Sequence, residues 1–143
     1  MKKLFALFLL FGLLSTASAQ VVTTQSFPWG SQTNNLTASS TGTTGAITAT
    51  LTGVAGKWTY LCGFVMTSGG TTPTVVVAPT ITGTITGTMS FQYVYPSSGQ
   101  GILGVAFPGC ISSSAVATSI VVTLPASGGS GTTNAISAWG YTN

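Results

Sequence analysis

Aspartate, glutamate, histidine and arginine are missing from all 143 residues, and lysine occurs only at Lys2, Lys3 and Lys57. Each absence removes a class of chemistry. Without carboxylates there is no acid–base pair of the glycosidase kind, and without imidazole there is no Ser–His or Cys–His unit. Cys62 and Cys110, the two cysteines, are too few to close a zinc site, and carbonyls and amides alone hold calcium poorly. No metal and no cofactor is expected. No basic stripe exists for nucleic acid to follow. The one catalytic arrangement left is a Ser–Lys dyad at Lys57, which would need burial to lower the lysine pKa. A solvated lysine just after Gly56, at a strand start, is the simpler expectation. The run Gly128-Gly129-Ser130-Gly131 lacks the lysine and helix of a phosphate loop. The chain reads as a protein that is not an enzyme.

What is present begins with an export leader. Met1-Lys2-Lys3 precedes an apolar run from Leu4 to Leu14, and Ala17-Ser18-Ala19 has the small-residue pattern of a cleavage site. The run is too short to cross a bilayer, which takes about 20 residues; a retained anchor is the alternative. Cleavage leaves a chain starting at Gln20 with Lys57 as its sole lysine and no membrane attachment. Such low charge is unusual for a free soluble monomer, because charge keeps molecules apart. It favours assembly with copies of itself, a trimer for example, or a surface built of hydroxyls and backbone. In an oxidising compartment Cys62 and Cys110 favour one disulfide; two buried thiols are the alternative. Asn35 begins an N-x-[ST] triplet, a glycan acceptor in a eukaryotic secretory route and a polar loop otherwise.

The apolar residues fall in bursts with a period of two and show no helical period after the leader. Residues 57–66, KWTYLCGFVM, read as the central strand, apolar on both faces and covered on both. Trp58, Tyr60, Cys62, Phe64 and Met66 share one face, with Trp58, Tyr60 and Phe64 in the core. Ala46–Thr52 alternates, with Ile47, Ala49 and Leu51 inward. Val75–Ala78 reads as a short buried strand. Thr80–Thr88 reads as a strand with Ile81 and Ile85 inward and glycines at 83 and 87 marking bulges. Met89–Tyr95, Ile102–Phe107, Ser119–Leu124 and Ala135–Tyr141 complete about eight short antiparallel strands. Val21–Thr24 could add a short one. Pro108-Gly109-Cys110 reads as a corner and Ser39–Gly45 as a flexible connector. The expected fold is all-β, a single-domain two-sheet β-sandwich, jelly-roll-like, with an up-and-down barrel as competitor. The expected division is 1–19 leader, 20–44 arm and connector, 45–143 β-domain. An immunoglobulin domain is not indicated, since Trp58 precedes the first cysteine and Pro108 stands where its tyrosine belongs.

Trp29, Tyr95, Trp139 and Tyr141 lie near predicted strand ends or loops, where rings can stack on a sugar or fill a partner's pocket. Capping the core is the alternative role.

The stretch GAITATLTGVAGKWTYLCGFVMTSGG and the later TNAISAWGY resemble a loose group of short exported or phage-associated proteins. The matching positions are Gly45, Ala55-Gly56-Lys57, Tyr60, Gly63-Phe64, Thr133-Asn134-Ala135 and Gly140-Tyr141. The resemblance implies a jelly-roll-like structural protein, a virion-surface or tail-associated component whose partners are other particle or surface proteins. The expected function is a non-catalytic exported structural or surface protein. The second expectation is a secreted carbohydrate-binding (lectin-like) or adhesin module with glycans as ligand.

Overall fold

The computed structural model describes residues 34–70, 75–95, 100–126 and 131–143. The leader, Val21–Thr24, Trp29 and most of the Gly128–Gly131 run lie outside the described residues. Among the described residues there is no helix, and ten strands follow in order. They are β1 (Asn35–Gly42), β2 (Ile47–Leu51), β3 (Thr59–Gly70), β4 (Val75–Val77) and β5 (Thr80–Thr84). Then come β6 (Gly87–Ser90), β7 (Tyr93–Tyr95), β8 (Gln100–Ser112), β9 (Ile120–Leu124) and β10 (Thr132–Thr142).

Every pairing is antiparallel. The first sheet runs β1-β10-β3-β8, the second β2-β9-β5-β6, and β4 and β7 form a two-stranded ribbon. Five pairings are nested: β1 with β10, β2 with β9, β3 with β8, β4 with β7 and β5 with β6. That is the pattern left when one long antiparallel hairpin is rolled up. The first half of the chain alternates between the sheets, and the second half retraces it.

The inward side chains of both sheets meet in one cluster. Ile47, Ala49 and Leu51 from β2 join Phe64 and Met66 from β3, Ile120, Val122 and Leu124 from β9, and Ile136 from β10. Phe64 is fully buried and meets Phe91 edge-on, with ring centroids 5.4 Å apart. Burying a ring of that size is worth roughly 2–3 kcal/mol. The ribbon closes the cluster with two tyrosines. The Tyr93 hydroxyl lies 2.6 Å from Ser68 Oγ of β3, and Tyr95 donates to the Pro125 carbonyl just after β9 at 2.8 Å. A strand of three residues thus ties one sheet to the other.

Several expectations change. The segment Ser39–Gly45, read as a connector, is largely strand: β1 pairs with β10 along its whole length, Asn35 opposite Tyr141 to Gly42 opposite Asn134. Residues 35–42 thus belong to the first sheet. As an edge strand β1 buries no side chain fully, so it carries no apolar alternation to read. The corner at Pro108–Cys110 is part of β8.

The central strand sits between β10 and β8 as expected, but a bulge interrupts it. Register with β8 shifts between Leu61 and Gly63. Thr59 and Leu61 face the core before it, Phe64, Met66 and Ser68 after it. One extra residue reverses the side-chain parity. Tyr60 and Trp58 consequently leave the core; Trp58 is 36% exposed. Thr80–Thr88 is a hairpin of β5 and β6, and Ile85 sits in its turn, exposed. Val76 is exposed as well, because side chains alternate along β4 and it points away from the side on which Val77 packs against the core.

Candidate functional site

The bulge organises the outer face of the first sheet. Cys62 occupies it, buried, and is bonded to Cys110 across 48 residues. On β8 the chain advances from Ala106 to Ile111 while β3 advances from Gly63 to Leu61, so residues 107–110 loop past the bulge. Cys110 takes φ 44° there, a left-handed conformation that non-glycine residues adopt only when the surroundings hold them. The disulfide is such a hold.

Two rows of side chains cross the face beside it. Thr37, Trp139, Gly63 and Ala106 oppose one another across the four strands, and Asn35, Tyr141, Tyr60 and Ser112 form the next row. Trp139 is half-buried because its indole lies over Gly63: a methyl group at Gly63 would run into the six-membered ring. Glycine inside a strand here marks a close approach. Tyr60 and Tyr141 stack, with centroids 4.6 Å apart and planes 13° from parallel. Partial burial, and then the neighbouring Tyr60, raise the Tyr141 pKa above its usual value. Between β1 and Trp139 lies a cleft of about 200 Å³ bounded by Asn35, Leu36, Thr37, Cys62, Trp139 and Gly140.

The sequence-predicted residues divide accordingly. Trp139 and Tyr141 stand on one face, and the cysteines are bridged. Tyr95 is not available for contact. It is fully buried, its hydroxyl is engaged, and burial together with Tyr93 pushes its pKa up to about 12. Trp29 lies outside the described residues. Tyr60 and Gly63 belong to the face and were not singled out for it; the glycine facing a tryptophan was the one available signal. Lys57 closes the turn from Val54, its N–H donating to the Val54 carbonyl at 3.0 Å. Asn35 and Thr37 of the acceptor triplet both sit on the exposed side of β1. Chemically the face offers amide, hydroxyl and aromatic contacts.

Comparison of the chain with protein-family models, with curated proteins and with solved structures finds no match in any of the three.

Proposed function

We propose that this is an exported, non-catalytic structural or surface protein, acting through contacts of its uncharged sheet face with copies of itself or with other surface or particle proteins. The observation that carries this reading is the grouping of Trp139, Tyr60 and Tyr141 on one outer face that lacks ionised side chains. Uncharged faces with rigid aromatic anchors associate readily, because little desolvation opposes contact. The nested strand pairing supports a jelly-roll-like two-sheet sandwich, an architecture frequent in capsid and lectin domains. The disulfide is consistent with an oxidising, exported setting. A phage-particle or tail role rests on the resemblance alone.

A lectin-like or adhesin role is the second reading. It is favoured by the cleft beside Trp139, where an aromatic ring, an amide and a hydroxyl converge as a sugar ring requires. Sedimentation velocity on the exported chain separates the two. Self-association at micromolar concentration that Trp139→Ala or Tyr141→Ala weakens supports the contact reading. A strict monomer whose tryptophan fluorescence shifts with one glycan of a panel supports the lectin reading instead.

A further inference from the structure

We infer that the free edge of β8 is an interface between two copies of this chain, pairing antiparallel across residues 100–106. The inference rests on the self-association in the reading above and adds a surface distinct from the aromatic face, the edge of the same sheet. Of the four strands that end the two four-stranded sheets, β2 and β6 have five and four residues, whereas β8 has thirteen. From Gln100 to Ala106 it pairs residue for residue with β3, Gln100 opposite Gly69 and Ala106 opposite Gly63. About half of those backbone N–H and C=O groups therefore point away from β3. At the far end, the turn after β5 occupies that side: Thr84 bridges Ser113, and Ile85 donates to the Ser112 carbonyl at 2.9 Å. Among the described residues, no strand covers the stretch before it.

Long free edges are normally protected by charge, proline or shortness. The segment Gln100-Gly101-Ile102-Leu103-Gly104-Val105-Ala106 has none of these, and Pro108 comes only beyond it. Ile102 is 68% exposed, the most exposed large apolar side chain among the described residues. Gly104, two residues on and on the same face, has open space above it.

The occupant is a second copy because the edge complements itself. A two-fold axis through Leu103 lets all seven residues pair, places Ile102 over Gly104 of the other copy, and sets Gln100 opposite Ala106. No ionised group on either side opposes the approach. The first sheets of two copies then join into one of eight strands. The other long edge, β1, exposes Asn35, Thr37, Ser39 and Thr41, and pairing β8 to it would build an open filament, not a closed pair.

Charge placement tests both the interface and its register. Sedimentation velocity is run on the exported chain and on Ile102→Lys, Gly104→Asp and the double variant, with circular dichroism checking that each folds. A parent dimer is expected. Each single substitution brings like charges diagonally together at roughly 7–8 Å and weakens dimerisation by about tenfold or more. The double variant sets each lysine opposite an aspartate of the other copy and restores association to within about threefold of the parent. Singles without effect, a double that stays weakened, a trimer, or growth without limit as concentration rises each overturn the edge assignment. If association then fails with Trp139→Ala instead, the contact reading stands and only the edge falls. A chain monomeric in every form overturns self-association as a whole.

Discussion

On the outside of the second sheet the same residue recurs. Thr48 stands opposite Thr123, which stands opposite Thr80, and the next row is Thr50, Val121 and Thr82. On the outside of the first sheet the two rows beside the disulfide mix tryptophan, paired tyrosines, glycine, alanine and asparagine with one threonine and one serine. Both sheets supply the same core, so the contrast belongs to their outer faces. Threonine suits a solvated strand face because its branched side chain fits the pleat and its hydroxyl is satisfied by water. Such a face needs nothing from elsewhere in the chain. The first sheet depends on partners far apart in sequence: Trp139 needs Gly63, Tyr60 needs Tyr141, and Cys62 needs Cys110. Its strands are also the long ones, at 8, 11, 12 and 13 residues against 3 to 5 elsewhere. In the function proposed above, contact is made by these long strands with their mutually dependent side chains. The threonine face reads as scaffold.

The largest test of that contrast is removal of the disulfide. Replacing both cysteines, Cys62→Ser with Cys110→Ser, should lower unfolding stability by about 4 kcal/mol in the chain-entropy estimate for a closed loop of this length. Urea denaturation of the parent and the double variant measures it. Hydrogen exchange should place the local loosening in β3 and β8, around the bulge, and leave β2 and β9 protected. A loss below about 1 kcal/mol would mean that hydrogen bonding holds Cys110 in its left-handed conformation without the bridge.

An intermediate effect lies in the ribbon that joins the sheets. The Tyr95 pKa is raised to about 12 in the fold, from an ordinary value of 10.0, by burial first and the nearby Tyr93 second. For a raised acid the unfolded chain loses its proton first, so stability is intact below pH 10 and falls as pH rises toward 12. The loss is of the order of 2 kcal/mol across that window. Ionisation would also remove the proton that Tyr95 donates to Pro125. Tyr95→Phe should cost about 1 kcal/mol at neutral pH and flatten the alkaline decline. Denaturation midpoints at several pH values for the two proteins decide it; a decline that persists in the variant assigns the effect to other tyrosines.

In the second sheet β2 and β9 are legible, whereas the β5–β6 hairpin reads as a single strand. Ile47, Ala49 and Leu51 alternate with threonines and are buried as their pattern implies, and β9 follows suit at Ile120, Val122 and Leu124. In the first sheet a single bulge at Cys62 defeated the same logic. Counting by two from Phe64 puts Tyr60 inside, whereas the extra residue turns it out toward Tyr141. No local signal marks that insertion, because a bulge is set by the pairing of β3 with β8 across the loop between them. β1 was hidden for a different reason: NLTASSTG shows no apolar alternation when only one side of an edge strand is half-covered. Of the proposed contact residues, Trp139 and Tyr141 were legible as late aromatics near a strand end. For Tyr95 the turn after it suggests a ring free for contact, but β4 and the core enclose it, in keeping with the core-capping alternative.

The smallest effects sharpen the comparison most directly, because one methyl group can be added or removed on either face. Gly63→Ala places a methyl where the Trp139 indole rests and beside the Val105 carbonyl. Neither neighbour is free to yield: the carbonyl belongs to the β3–β8 ladder, and the indole must swing off the sheet. Overpacking of that kind costs about 1–3 kcal/mol, and tryptophan emission should shift red as the ring enters water. Thr50→Ala on the second sheet removes an exposed side chain from a position that touches no aromatic partner, and should change stability by less than about 0.5 kcal/mol. Thermal denaturation with fluorescence detection on the two variants compares them directly. Similar costs at the two positions would mean that the aromatic face is as forgiving as the threonine one, and the division into a specified face and a generic one would fail. A large cost at Gly63 without an emission shift would locate the strain in the backbone ladder and leave Trp139 where it is.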